Sequence, residues 1–279
     1  MTGDACPSGW CRVPGAEAPA PPGTAPRGPA LRVRYTKLGR LRFTSHRDVV
    51  RMWERALRRS GVPVAWSEGF SPRPVVSFGL ALPTGAESLG EYLDIVPEGR
   101  PRELGELHEL GVRLSTHLPA GMDVQAVAVL EEGSASLQQE VSSCSWKLEV
   151  LGLAIEELST RVERLLGASS VLVERERKGR TVRDDLRPSV LALSANPLSE
   201  PPAVVPGGGP FALIDAQVAT RPRGVRPREL LEGLGPGVEL VRACRVHQWI
   251  ERDGARCEPL DVGVYGTGPV EARASERAS

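Results

Sequence analysis

An α+β fold follows from three features of this 279-residue sequence: short segments alternating apolar and polar residues, longer segments with apolar residues at helical spacing, and the order in which the two kinds come. The first segment, 31–43, alternates apolar and basic residues around a turn at 36–39 and reads as a strand or a hairpin. A helix follows. Ser45 and Asp48 stand at capping-box spacing, and Val49, Val50, Trp53, Ala56 and Leu57 keep the helical period until Gly61 ends it. Segments 62–66 and 74–80 are short strand candidates around the loop 67–74, and 91–96 is another. The helical pattern returns over 102–118 with Leu107, Leu110 and Leu114, and 124–130 supplies a further strand.

The second half reads the same way. Strands are expected over 146–151, 170–174, 181–193, 211–220 and 239–251, and helices over 154–166 and 227–234. Each half approximates the order β, α, β, β, α, β. The expectation is two tandem ferredoxin-like (βαββαβ) domains with antiparallel sheets, over 31–135 and 140–255. Residues 1–30 carry seven prolines among alanine and glycine and are expected to form a disordered lead. Residues 259–279 are expected to be a flexible tail, and the Pro/Gly-rich stretch 196–210 a long loop.

Composition excludes several classes of function. No run approaches the roughly 18 apolar residues of a membrane span, so a cytoplasmic protein with no membrane partner is expected. Five cysteines at irregular spacings build neither a disulfide framework nor a metal site. No three-cysteine iron–sulfur motif appears, and no cofactor is expected on this chain.

The neutral net charge conceals a separation. Residues 31–80 hold eleven basic groups against three acidic ones, whereas residues 81–140 hold eleven acidic against three basic. On the first helix Arg47, Arg51, Arg55, Arg58 and Arg59 recur at spacings of three and four, opposite Trp53 and Leu57. Guanidinium pairs bidentately with phosphate, so such a stripe suits nucleic acid or a phosphorylated ligand. The bland alternative is the solvated face of an amphipathic helix, or basic and acidic halves pairing within the fold.

The candidate ligand-binding set gathers around this helix: Lys37, Ser45, His46, Arg51, Arg55, Arg58 and Arg59, with Ser67, Gly69, Phe70, Pro72 and Arg73 from the loop. His46 is a candidate hydrogen-bonding or acid–base group, and no catalytic base or nucleophile stands beside it in the sequence. The prolines stiffen the loop, which either presents Phe70 and Arg73 to a ligand or tucks Phe70 into the core. In the second half Asp185 and Arg187 are added. They stand close enough to form a structural ion pair, and face a ligand only if they line a groove between domains.

Four motifs carry a resemblance: K-x-G-x-L-R-F-x-S-H-x-D over 37–48, E-R-A-L-R-R-S-G-x-P over 54–63, S-x-G-F-x-P-x-P over 67–74, and L-P-x-G-x-E-S-x-x-E-Y over 82–92. Together they resemble DUF2344, a domain of unknown function found in radical SAM-linked proteins. Arg47 and Asp184 stand where the resemblance implies apolar residues. It also implies association with a radical SAM enzyme on a separate chain, since this chain lacks the cluster-binding cysteines. The expected function is then a non-catalytic partner that binds or presents the substrate of that enzyme, RNA or a ribonucleoprotein. Two alternatives stand beside it. One is an RNA-processing or RNA-modifying enzyme using His46, since the expected architecture resembles CRISPR repeat-processing endonucleases. The other is a protein-only adaptor.

Overall fold

The computed structural model describes residues 29–68, 70–98, 104–131, 134–177, 179–198, 209–252 and 254–260. Most of the expected lead and tail, and 199–208 of the long loop, lie outside the described residues.

Strand β1 (Leu31–Lys37) turns Leu31, Val33 and Tyr35 toward one apolar cluster by its two-residue period. The expected hairpin does not form. The chain enters a 3-10 turn, Gly39–Phe43, because both edges of β1 are taken by strands β3 (Ala86–Ile95) and β4 (Val124–Val129). The start of β3 also claims the turn's polar groups: Gly39 N donates to Glu87 Oε1 at 2.9 Å, and Gly85 N to the Arg42 carbonyl at 2.6 Å.

Helix α1 (His46–Ser60) has the expected start and stop. The Ser45 hydroxyl accepts from Asp48 N at 3.3 Å and donates to Asp48 Oδ2 at 2.7 Å, and Gly61 closes the helix at φ 63°, a conformation open to glycine at little cost. Val49, Trp53, Ala56 and Leu57 are buried against β1, β3 and helix α2 (Leu104–His117). Ser45→Ala should lower stability by about 1 kcal/mol, read as a fall in the denaturant midpoint with unchanged slope.

Residues 62–66 were expected as a strand but make only isolated bridges, Val64 to Pro97 and Trp66 to Pro74, while β2 (Val76–Phe78) pairs β3. The first half therefore has the sheet order β4-β1-β3-β2, antiparallel throughout. A single helical turn, α3 (Leu137–Glu140), leads into β5 (Val141–Leu151), α4 (Ile155–Gly167), and a hairpin of β6 (Leu172–Arg177) and β7 (Arg180–Asp185). After it come β8 (Val190–Pro197), β9 (Phe211–Ala219), α5 (Pro227–Leu234), β10 (Glu239–Arg252) and β11 (Ala255–Cys257). The strand expected over 181–193 is broken in two by the turn Arg187–Ser189, where Pro188 offers no ladder donor. The second half has the order β10-β5-β9-β8, again antiparallel.

Two separate antiparallel sheets were expected, and here the structure corrects the sequence. Ala86–Ser88 of β3 pairs in parallel with Ala243–Arg245 of β10, joining both halves into one nine-stranded mixed sheet. Side chains fasten this seam. Glu87 binds Arg242 at 2.6 Å, Ser88 Oγ donates to the Arg245 carbonyl at 3.2 Å, and Gln248 Nε2 donates to the Gly90 carbonyl at 2.8 Å. Of the expected tail only 259 and 260 are described: Leu260 is buried and the Pro259 carbonyl accepts from Arg32. Among the described residues no helix is long and apolar enough to cross a membrane.

A candidate nucleic-acid interface on the first helix

The basic residues of the first third divide by the element that carries them. Strand arginines are consumed internally: Arg32, 1% exposed, binds Asp94 at 2.8 Å and Glu140 at 3.0 Å, and Arg34 binds Glu258 at 2.7 Å. Arg42, in the turn, lies 3.6 Å from Glu87. Lys37 was expected at the ligand surface and is not there. It follows Leu31, Val33 and Tyr35 on the covered face of β1, is 2% exposed, and donates from Nζ to the Thr44 carbonyl at 3.2 Å. Burial lowers its pKa, with Glu91 pulling the other way.

The helix arginines are different. Since Val49, Trp53 and Leu57 fix which side of α1 is buried, Arg47, Arg51, Arg55, Arg58 and Arg59 are all left exposed. Arg51 lies 3.5 Å from Asp48, in a pair more than half open to water on the arginine side. The Ser45 hydrogen bond, helped by Arg51 and Arg47, holds the Asp48 carboxyl below the usual carboxylate range. Arg55 Nε donates to the Arg51 carbonyl at 3.4 Å, and the Arg58 guanidinium lies over the Trp66 ring, 5.4 Å from its centre. Among the described residues no carboxylate comes within 4.0 Å of Arg47, Arg55, Arg58 or Arg59.

The loop 67–74 joins this surface. Ser67 and Arg73 exchange a backbone bond at 2.8 Å, and Ser67 Oγ accepts from Arg73 N at 3.0 Å, so Ser67 is the clasp of the loop. Gly69 lies outside the described residues. Pro72 is exposed, Arg73 reaches to 3.9 Å from Glu54 of α1, and Phe70 stands free in solvent rather than in the core. His46 is also exposed, its ring edge-on to Phe78 with centres 5.4 Å apart. Among the described residues no carboxylate lies within 4.0 Å of it.

Asp185 and Arg187 do not belong to this surface, nor do they pair side chain to side chain. Asp185 Oδ1 accepts from Val171 N at 2.8 Å and Arg187 N at 3.0 Å, which holds its carboxyl below the usual range. The Arg187 guanidinium donates to the Leu166 carbonyl at 2.8 and 3.1 Å and to the Val190 carbonyl at 3.0 Å. Both residues pin the turn before β8 to the end of α4. Arg187→Ala should destabilise by about 1–3 kcal/mol in chemical denaturation while leaving any ligand affinity of α1 unchanged. Nearby Asp184 pairs with Arg175 and, at 2.8 Å, with Arg223, which also binds Glu229 at 2.6 Å; these charges answer one another.

Two exposed groups in the turn before α1 escaped the sequence reading. Phe43 is 64% exposed beneath the Arg42 guanidinium, 4.8 Å from its ring centre, and Arg40 is exposed one turn earlier. Their run, R-L-R-F, imitates strand alternation, and the signal against a strand was Gly39, whose φ of 62° starts the 3-10 turn.

Comparison with solved structures finds similarity to the "Crystal Structure of a Cbf5-Nop10-Gar1 Complex" (10% identity, TM-score 0.42) and to the "Structure of H/ACA RNP bound to a substrate RNA containing 2'-deoxyuridine" (11% identity, TM-score 0.39). Each alignment covers 78% of this chain and about half of the other, 48% and 47%. No curated protein matches the sequence. A family model does match, over residues 30–222, a span holding both halves of the sheet up to the end of β9 and the entire basic surface. By that match the chain belongs to DUF2344, a family described as uncharacterized proteins conserved in bacteria.

Proposed function

We propose that this chain binds RNA through the arginine face of α1 and the loop 67–74, and that it serves as the non-catalytic, substrate-presenting partner of a separate radical SAM enzyme. One observation carries the RNA reading: Arg47, Arg55, Arg58 and Arg59 stand together in solvent with no carboxylate of the described chain within 4.0 Å. Like charges so arranged repel unless a polyanion or an acidic surface answers them, and phosphates spaced along a strand match a row of guanidinium forks. The enzyme partnership rests on the family motifs, with the iron–sulfur chemistry assigned to the other chain. Reading each half as a ferredoxin-like unit is supported by the repeated strand order, β4-β1-β3-β2 and β10-β5-β9-β8.

Two measurements test this. Fluorescence anisotropy with labelled RNA should show binding that weakens with salt and is lost in Arg55→Glu/Arg59→Glu. Affinity purification from native cells with and without nuclease should recover a radical SAM protein in both arms and RNA only without nuclease. A protein captured in both arms, with no affinity for RNA, would convert the reading to a protein-only adaptor.

A further inference from the structure

Two exposed phenylalanines stand on segments that adjoin α1, one before its start and one on the loop 67–74. Phe43 lies three residues before His46 at the start of α1. Phe70 sits on the loop that reaches α1 farther along, where Arg73 approaches Glu54 and Arg58 covers Trp66. Neither ring is buried: Phe70 is fully exposed and Phe43 is 64% exposed. A ring held in water contributes nothing to the core, and isolated exposed apolar side chains are ordinary. These two stand on segments that adjoin α1, Phe43 in the 3-10 turn before its start and Phe70 on the loop whose Arg73 approaches Glu54, and both are held out by their backbone. The Ser67–Arg73 clasp and Pro72 stiffen the loop beneath Phe70, while the 3-10 turn, pinned to Glu87, carries Phe43. The Arg42 guanidinium lies over the Phe43 ring, 4.8 Å from its centre, and the residue still stands largely in solvent.

From these positions we infer that the RNA taken by this surface is single-stranded, with unpaired bases stacking on Phe43 and Phe70 while the α1 arginines follow the intervening phosphates. This rests on the RNA reading above and narrows it. In a duplex the bases are stacked inside, and an A-form groove gives aromatic side chains no base face to meet, so both rings would be idle. In a single strand each base offers a π-face, and a cationic track with aromatic platforms is the arrangement that captures it without regard to sequence. From His46 to Arg58 the helix advances about 18 Å at 1.5 Å per residue, room for a site of about four nucleotides or more.

The test uses the full chain with two fluorescein-labelled ligands, a 12-nucleotide oligouridine and a 12-base-pair RNA duplex. Oligouridine should bind the tighter. Phe70→Ala and Phe43→Ala should each weaken oligouridine about five- to a hundredfold and leave the duplex unchanged, and Phe70→Trp should keep the wild-type affinity. Because both rings are exposed, unchanged melting temperatures will show that the variants are folded. Equal affinity for both ligands, with no response to either alanine variant, would overturn the stacking inference and leave the RNA reading standing if Arg55→Glu/Arg59→Glu still abolishes binding. Absence of binding to both ligands overturns both.

Discussion

Replacing Arg245 by methionine while Glu91 stays in place should destabilise the protein by about 3–5 kcal/mol, the characteristic loss when one partner of a buried ion pair is removed. Glu91 is buried in β3 and Arg245, 2% exposed, in β10. The guanidinium grips the carboxylate through Nε at 2.9 Å and Nη2 at 2.6 Å, and Nη2 also donates to the Leu80 carbonyl at 2.8 Å. Burial pulls the Arg245 pKa down, but Glu91 together with Cys144 and Tyr35 more than offsets it and the net direction is up. In the variant Glu91 is left a buried carboxylate without its fork, and Lys37, buried nearby, relieves it only in part. For a domain whose whole stability is about 5–15 kcal/mol, this is roughly a fifth of the total or more.

The pH dependence of that loss carries a sign. A buried, unpaired carboxylate has its folded pKa raised above the unfolded value of about 4.3, so between those two values the folded state holds more protons than the unfolded. Stability of Arg245→Met should therefore fall as pH rises through that window and recover on acidification. Adding Glu91→Gln should restore most of the loss at neutral pH, since the remaining amide carries no charge to strand. Urea midpoints at several pH values measure all of this. A loss below about 1 kcal/mol with no pH trend would mean that water reaches Glu91 and that the seam between the halves is not sealed there.

The same seam marks where sequence reading stops. Helix α1 was legible because its determinants are local: a Ser45–Asp48 cap, a 3.6-residue period through Val49, Trp53 and Leu57, and a glycine stop at Gly61. The arginine stripe was legible with it, since burying Trp53 and Leu57 decides which way Arg51, Arg55 and Arg59 point. Lys37 was misassigned although its burial could have been read: it continues the period-two row Leu31, Val33, Tyr35. The parallel pairing of Ala86–Ser88 with Ala243–Arg245 had no local trace, because the partners lie more than 150 residues apart and each strand's own alternation is satisfied without it. The clue lay instead in charge. Glu87 and Glu91 in a strand otherwise buried, like Arg245 in β10, are tolerable only when paired, and each finds its partner across the junction. The count of cations in the first third misled for the same reason, because Arg32, Arg34 and Arg42 already serve carboxylates of this chain.

What remains of that count is the set on α1, with Arg40 and Arg73 beside it, and if this chain binds RNA as proposed the size of the α1 set fixes the salt response. Four guanidinium groups that each meet one phosphate of a single strand should give a slope of log affinity against log salt of about −3, at about −0.7 per contact. Raising salt from about 50 to about 200 mM would then weaken binding about fiftyfold. In Arg55→Glu/Arg59→Glu two contacts vanish and two repulsions appear, so affinity at low salt should drop by two orders of magnitude or more and the slope should flatten to about −1.5 or less. These side chains are exposed and, among the described residues, unpaired with carboxylates, so folding stability should change by no more than about 0.5 kcal/mol. Relief of like-charge repulsion along the helix makes a small gain the expected direction. The slope separates this mechanism from its rival. If the helix face is only a solvated surface, the double variant leaves both affinity and slope where they were, and whatever binds RNA lies elsewhere on the molecule.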